Sequence, residues 1–201
     1  MVSHIVGGAL GVTATALCVV FAALHRNVYG VVASAIYGAT MIVLYTMSSI
    51  YHGLRTNTSK KVFQIIDHCT IYLLIAGTYT PYTLCTLRQD SPGWGWTIFG
   101  VVWAMAVLGI VFNAIDLKKY KVFSMICYIG MGWSIVIRAH RLPGLLGFWG
   151  FMFLLIGGIL YTVGAVFYGV GKKVKYMHSI FHLFCVAGSI MHFFGILFWV
   201  I

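Results

Sequence analysis

Two histidines four residues apart open the last apolar run of the chain: His178 and His182, in Tyr176-Met-His178-Ser-Ile-Phe-His182-Leu. On a helix, positions i and i+4 share a face, with Cβ atoms about 5–6 Å apart. At that spacing two imidazoles can grip one metal ion, and zinc takes histidine nitrogens at about 2.0–2.1 Å. A polar pair inside an apolar run is costly unless something compensates it. Other apolar runs carry candidates near their ends: Ser48 and His52 in Met47-Ser48-Ser49-Ile-Tyr-His52, and Asp67 in Val62-Phe-Gln64-Ile-Ile-Asp67-His68. A third imidazole, from His52, would leave one of zinc's four tetrahedral positions open, the pattern of a catalytic rather than a structural site. Zinc in such a site acidifies water to a pKa of about 7 and polarises carbonyls. Asp67 could then accept a proton from the attacking water or orient it. Ser48, one turn before His52, could donate to a developing oxyanion.

The elements that position these side chains follow from composition. The chain has 201 residues, 61% of them hydrophobic and 8% charged, with a mean hydropathy of +0.97. A soluble domain is about half apolar and one quarter charged, so this is read as an integral membrane protein. Seven apolar segments can be counted, at His4–Leu24, Tyr29–Leu54, Val62–Leu87, Gly93–Ile115, Val122–Ala139, Leu145–Val170 and Tyr176–Ile201. Each reaches or approaches the ~20 residues that a helix needs to cross the hydrocarbon core. Helix is the state that satisfies every backbone group in lipid. The expectation is an all-α bundle of seven transmembrane helices forming one domain over residues 1–201, with the fifth helix the shortest. No Lys or Arg precedes Arg26, so the first segment reads as a spanning helix and not a signal peptide. Gly7 and Gly11 favour close helix packing, and Pro81 predicts a kink in the third helix.

The net charge of +10 sits in short loops. Even-numbered loops hold Arg55, Lys60, Lys61, Lys118, Lys119, Lys121, Lys172, Lys173 and Lys175, and odd-numbered loops hold Arg26, Arg88, Arg138 and Arg141. The positive-inside rule puts the even loops and the N-terminus in the cytoplasm and the C-terminus outside. The expected location is the plasma membrane, multi-pass. No extended basic face with interleaved aromatics is present, so nucleic acid is not an expected partner; the basic loops suit lipid headgroups. In this topology the second helix ends, and the third and seventh begin, at the cytoplasmic face. His52, Asp67, His178 and His182 then share one slab, roughly 4–11 Å below the cytoplasmic charges.

Each residue has a plainer reading. A lone membrane histidine packs and hydrogen-bonds more often than it ligates a metal. Ser48 could bond its own helix carbonyl, and Asp67 could pair with Lys60 or Lys61. The coincidence of depth favours the metal site. His68 points about 100° away from Asp67; His4 is a candidate to support the ligands from behind; His192 lies ten residues, about 15 Å, beyond His182 and is out of reach of the same ion. The five cysteines all fall in apolar runs, form no CxxC pair and read as small packing residues.

Ser48-x-x-x-His52, Phe63-x-x-x-Asp67-His68-Cys-Thr-Ile-Tyr72 running to Gly77-Thr-Tyr-Thr-Pro81, Met131-Gly132-Trp133, His178-x-x-x-His182 and Met191-His192-Phe193 together resemble the haemolysin III family. That family is the bacterial branch of the progestin and adiponectin receptor superfamily. The resemblance implies seven helices with the N-terminus inside, and zinc held at His52, His178 and His182. It implies a role for Asp67 through water at the metal, and a match of Ser48 to the SxxxH serine. The wider superfamily resembles alkaline ceramidases, which implies lipid amide hydrolysis, and the bacterial branch is associated with membrane fluidity homeostasis. The leading expectation is an intramembrane zinc-dependent hydrolase of a lipid amide or ester, with a membrane lipid or fatty-acyl substrate. The alternatives are a non-enzymatic membrane sensor with a structural zinc, and a pore-forming cytolysin.

Overall fold

The structure, a computed structural model, describes residues 2–170 and 176–201. Lys172, Lys173 and Lys175, counted above for the sixth loop, lie outside the described residues. Among the described residues there are seven helices long and apolar enough to cross a membrane. They are α1 (Val2–Leu24), α2 (Val28–Gly53), α3 (Thr58–Pro81), α4 (Pro92–Asp116), α5 (Lys121–Trp133), α6 (Leu142–Val170) and α7 (Met177–Trp199).

Local chemistry sets their ends. Asn27 caps α2 by accepting the Gly30 N–H at 2.8 Å, and Asn57 caps α3 by accepting the Lys60 N–H at 2.9 Å. Side-chain oxygens at these positions satisfy amides that have no partner within the helix. Pro92 opens α4, where its missing N–H costs nothing. Beyond the cap, Lys60 Nζ donates to the Leu54 carbonyl just past the end of α2. The lysine therefore joins the α2–α3 turn and is not an ion-pair partner of Asp67.

The expected disturbance at Pro81 takes a specific form. Instead of a simple bend, Tyr82–Leu87 form a π-helical stretch. A proline cannot donate to the carbonyl four residues back and clashes with it. The wider turn absorbs that mismatch, with the Arg88 N–H reaching the Thr83 carbonyl five residues back. The α5 span is the shortest, at 18 residues, and includes a 3₁₀ end, Ser134–Arg138.

The helices pack α1 on α2, α2 on α3, α3 on α4 and α6 on α7, with α7 returning against α1. Small residues make the closest crossings. A Cβ on Gly7 would lie 2.6 Å from the Tyr45 ring, and one on Gly38 or Gly77 would overlap Thr15 or Thr40. The interior is built around Tyr37, Met41 and Tyr45 of α2, Tyr72 of α3 and Ile196 of α7, all fully buried. Large apolar side chains such as Val12, Leu24, Leu108, Ile126 and Val166 face outward, as a lipid-facing surface requires. At the end of the bundle opposite His52, Asp90 accepts from Arg138 at 3.0 Å and from Arg141. That pairing engages two of the four arginines of the odd-numbered loops. All five cysteines are free thiols.

Candidate metal centre

Three imidazoles meet where α2 ends and α7 begins. Nε2 of His178 lies 3.3 Å from Nε2 of His52 and 2.9 Å from Nε2 of His182. The ligand atoms of all three lie within 4.8 Å of one another. The edge of a tetrahedron with zinc–nitrogen bonds of about 2.0–2.1 Å is ~3.3 Å, so the separations suit one ion. His178 Nε2 faces both neighbours at once. As a donor it could serve one of them well; as an acceptor it would need both others protonated. Three imidazole nitrogens gathered this closely are instead what a divalent cation satisfies, and the three are close enough to hold one.

Helix periodicity explains how the site is assembled. His178 and His182 are one turn apart on α7, and His52 sits in the last turn of α2. The crossing of these helices is pinned deeper down, where Tyr45 donates to the Cys185 carbonyl at 3.2 Å and meets Ser189 Oγ at 2.6 Å. Tyr45 lies seven residues before His52 and Ser189 seven after His182, so each anchor shares a helix face with the ligand it supports.

Ser48 and Asp67 face the same space. Ser48 and Asp67 border one cavity, while it is the neighbouring Ser49 that donates back to its own helix, at the Tyr45 carbonyl, 2.7 Å away. Asp67 stands outside the imidazole group. Ser48, Asp67, His178 and His182 all line one cavity of about 300 Å³, walled mostly by apolar and aromatic side chains. It extends from Gln64 and Asp67 at this end to Ile135, Ala139 and Leu142 near the other.

The remaining histidines sort as follows. His68 contacts the Gln64 carbonyl through Nδ1 at 2.8 Å and the Tyr168 hydroxyl through Nε2 at 2.9 Å, so both nitrogens are engaged away from the trio. His4 of α1 is 4% exposed, and its ring stands perpendicular to that of His182 with centroids 3.9 Å apart. Neither of its nitrogens has a partner among the described residues, nor does Nδ1 of His182. His192 is remote from the trio and stacks on Tyr161. The sequence reading missed the cluster in which Tyr45 and Tyr161 both meet the Ser189 hydroxyl, the latter at 2.8 Å. The seven-residue spacing from His52 and His182 was the signal available for it.

The family model described as "Haemolysin-III related" matches residues 1–193. Hemolysin-3 of Bacillus cereus is 40% identical over 200 residues, covering 100% of this chain and 90% of its own. The Hemolysin-3 homolog of Bacillus subtilis is 37% identical over 198 residues, covering 98% and 91%. Human monocyte to macrophage differentiation factor is 28% identical over 189 residues, covering 87% and 74%. No solved structure matches.

Proposed function

Because the chain belongs to the haemolysin-III related family of multi-pass membrane proteins, we propose that it is a zinc-dependent hydrolase acting on a lipid amide or ester from within the bilayer, and so on the composition and fluidity of the membrane. The observation that carries this reading is the convergence of His52, His178 and His182 beside Asp67 at one end of an apolar cavity. The donor set fits zinc: three neutral nitrogens at near-tetrahedral separations, with a position left for a reactant. When bound, zinc supplies Lewis acidity, polarising the scissile carbonyl and acidifying water.

The protein's own groups do the rest. Asp67 takes the proton of the attacking water at a carboxylate oxygen and returns it to the leaving amine or alkoxide, so that water and the acyl bond become a fatty acid and an amine or alcohol. A hydrogen bond from Ser48, which borders the same cavity, holds that carboxylate in the orientation the transfer needs. The cavity takes the acyl chain, and its apolar wall keeps bulk water from the reacting carbonyl. With nine of the thirteen basic residues in even loops, the metal end lies at the cytoplasmic face of the plasma membrane.

The test is release of fatty acid by purified, zinc-loaded protein from N-acyl sphingoid, N-acyl amine and phospholipid substrates. Asp67→Asn should keep the metal and lower turnover by about 10²–10⁴-fold. No release from any of these by the wild type, or equal release by the variant, overturns the enzymatic reading. One observation favours a second reading, a sensor in which zinc ties α2 to α7: the ligands come from helices at opposite ends of the chain. In that case Asp67→Asn behaves as wild type, while His52→Ala lowers thermal stability and alters membrane composition.

A further inference from the structure

Two residues that border the same cavity, far from the trio, each carry a buried polar atom left unbonded. Nδ1 of His192 and the hydroxyl of Tyr82 have no partner among the described residues, on residues 5% and 2% exposed. Their rings stand 6.2 Å apart, centroid to centroid, and both residues border the cavity. A buried polar group left unbonded costs about 1–3 kcal/mol, so two on one wall call for an occupant.

The surroundings hold them in place. Tyr161 stacks on the His192 ring at 5.4 Å, and the Tyr161 hydroxyl is itself engaged by Ser189. Opposite, the chain has made room with glycine. A Cβ on Gly157 would sit 2.7 Å from His192 Nε2, and one on Gly195 would sit 2.7 Å from the Tyr82 hydroxyl. The imidazole and the phenol therefore occupy fitted recesses and do not point to open solvent.

Building on the acyl-chain reading of the cavity, we propose that His192 and Tyr82 form a polar subsite for one hydrogen-bonding oxygen carried partway along an otherwise apolar lipid chain. His192 lies ten residues beyond His182, about 15 Å deeper along α7, which sets the oxygen well away from the acyl carbonyl. A hydroxyl group suits the pair, since it can accept from one and donate to the other. A free water would have these two groups alone, the lower limit of the two to four polar partners that a buried water takes, since the Tyr161 hydroxyl on the same cavity is already engaged by Ser189.

Oleate and ricinoleate differ by one hydroxyl partway along the chain and make the test. With purified full-length protein, ricinoleate should bind up to about tenfold tighter than oleate, the yield of one buried hydrogen bond. A fatty acid with its hydroxyl next to the carboxylate should gain nothing. Tyr82→Phe and His192→Phe should each erase the preference. Tyr82→Phe removes an unbonded hydroxyl, so it should leave folding and oleate affinity unchanged. If oleate binds and ricinoleate binds no better, or if the preference survives both substitutions, the subsite is overturned while the acyl reading stands. If neither fatty acid binds, both fall.

Discussion

In the proposed mechanism Asp67 and Ser48 divide the chemistry between a group that carries the proton and a group that orients it. The SxxxH register predicts that Ser48 shares a face with His52, and it does. Ser48 also borders the cavity that Asp67 lines from the neighbouring helix. Under the proposed mechanism Ser48 is thus a positioning residue. Ser48→Ala should lower kcat by about 10- to 100-fold, the loss of one hydrogen bond to a charged group. KM and bound zinc should stay close to wild type. Steady-state kinetics on the same acyl substrate, with metal analysis alongside, would check this; a loss of zinc would instead make Ser48 part of the metal's support. The meeting of His52, His178 and His182 was legible because helix periodicity sets the face of each and all three lie near the ends of their apolar runs. The perpendicular contact of His4 with His182 was not, since it depends on how α1 leans on α7, a choice made by packing between helices at opposite ends of the sequence.

The helices themselves were legible from hydropathy to within a few residues at each end. The exceptions have physical reasons. Pro81 does break the pattern of α3, but a missing N–H does not dictate whether the backbone bends or widens, and here Tyr82–Leu87 widen into a π-helix. The first of these residues, Tyr82, also has its hydroxyl on the cavity wall proposed as the polar subsite. Close crossings were legible only as glycine-rich stretches. The structure picks out the demanding positions: Gly77, against Thr40, sets how near α3 comes to α2 and hence how Asp67 meets Ser48. Gly77→Ala should destabilise the protein by about 1–3 kcal/mol, the usual cost of overpacking. Gly100, on α4, has nothing within 4 Å of a Cβ, so Gly100→Ala should leave the melting temperature unchanged or slightly raised. Melting curves in one detergent compare the two; equal effects would mean that the α2–α3 crossing is not limiting.

Across the bundle as a unit, the seven membrane-spanning helices agree with the family to which the chain belongs, and a histidine trio joins α2 to α7. The orientation rests on loop charge: nine basic residues in even loops against four in odd ones, two of the four paired with the single carboxylate of Asp90. A periplasmic-type phosphatase fused after Ile201 should be active and a fluorescent protein fused there dark, with the reverse at the fourth loop, near Lys118. The opposite pattern would put the imidazoles at the outer face and detach the proposed chemistry from the cytoplasm.

The account depends most on whether the three imidazoles hold a metal. Elemental analysis of protein purified without added metal or chelator tests that directly, and it does so whether or not a substrate is known. About one zinc per chain is expected in the wild type and in Asp67→Asn, with almost none in His52→Ala, His178→Ala or His182→Ala. A wild type free of zinc, or alanine variants that retain it in full, would contradict the account at its root.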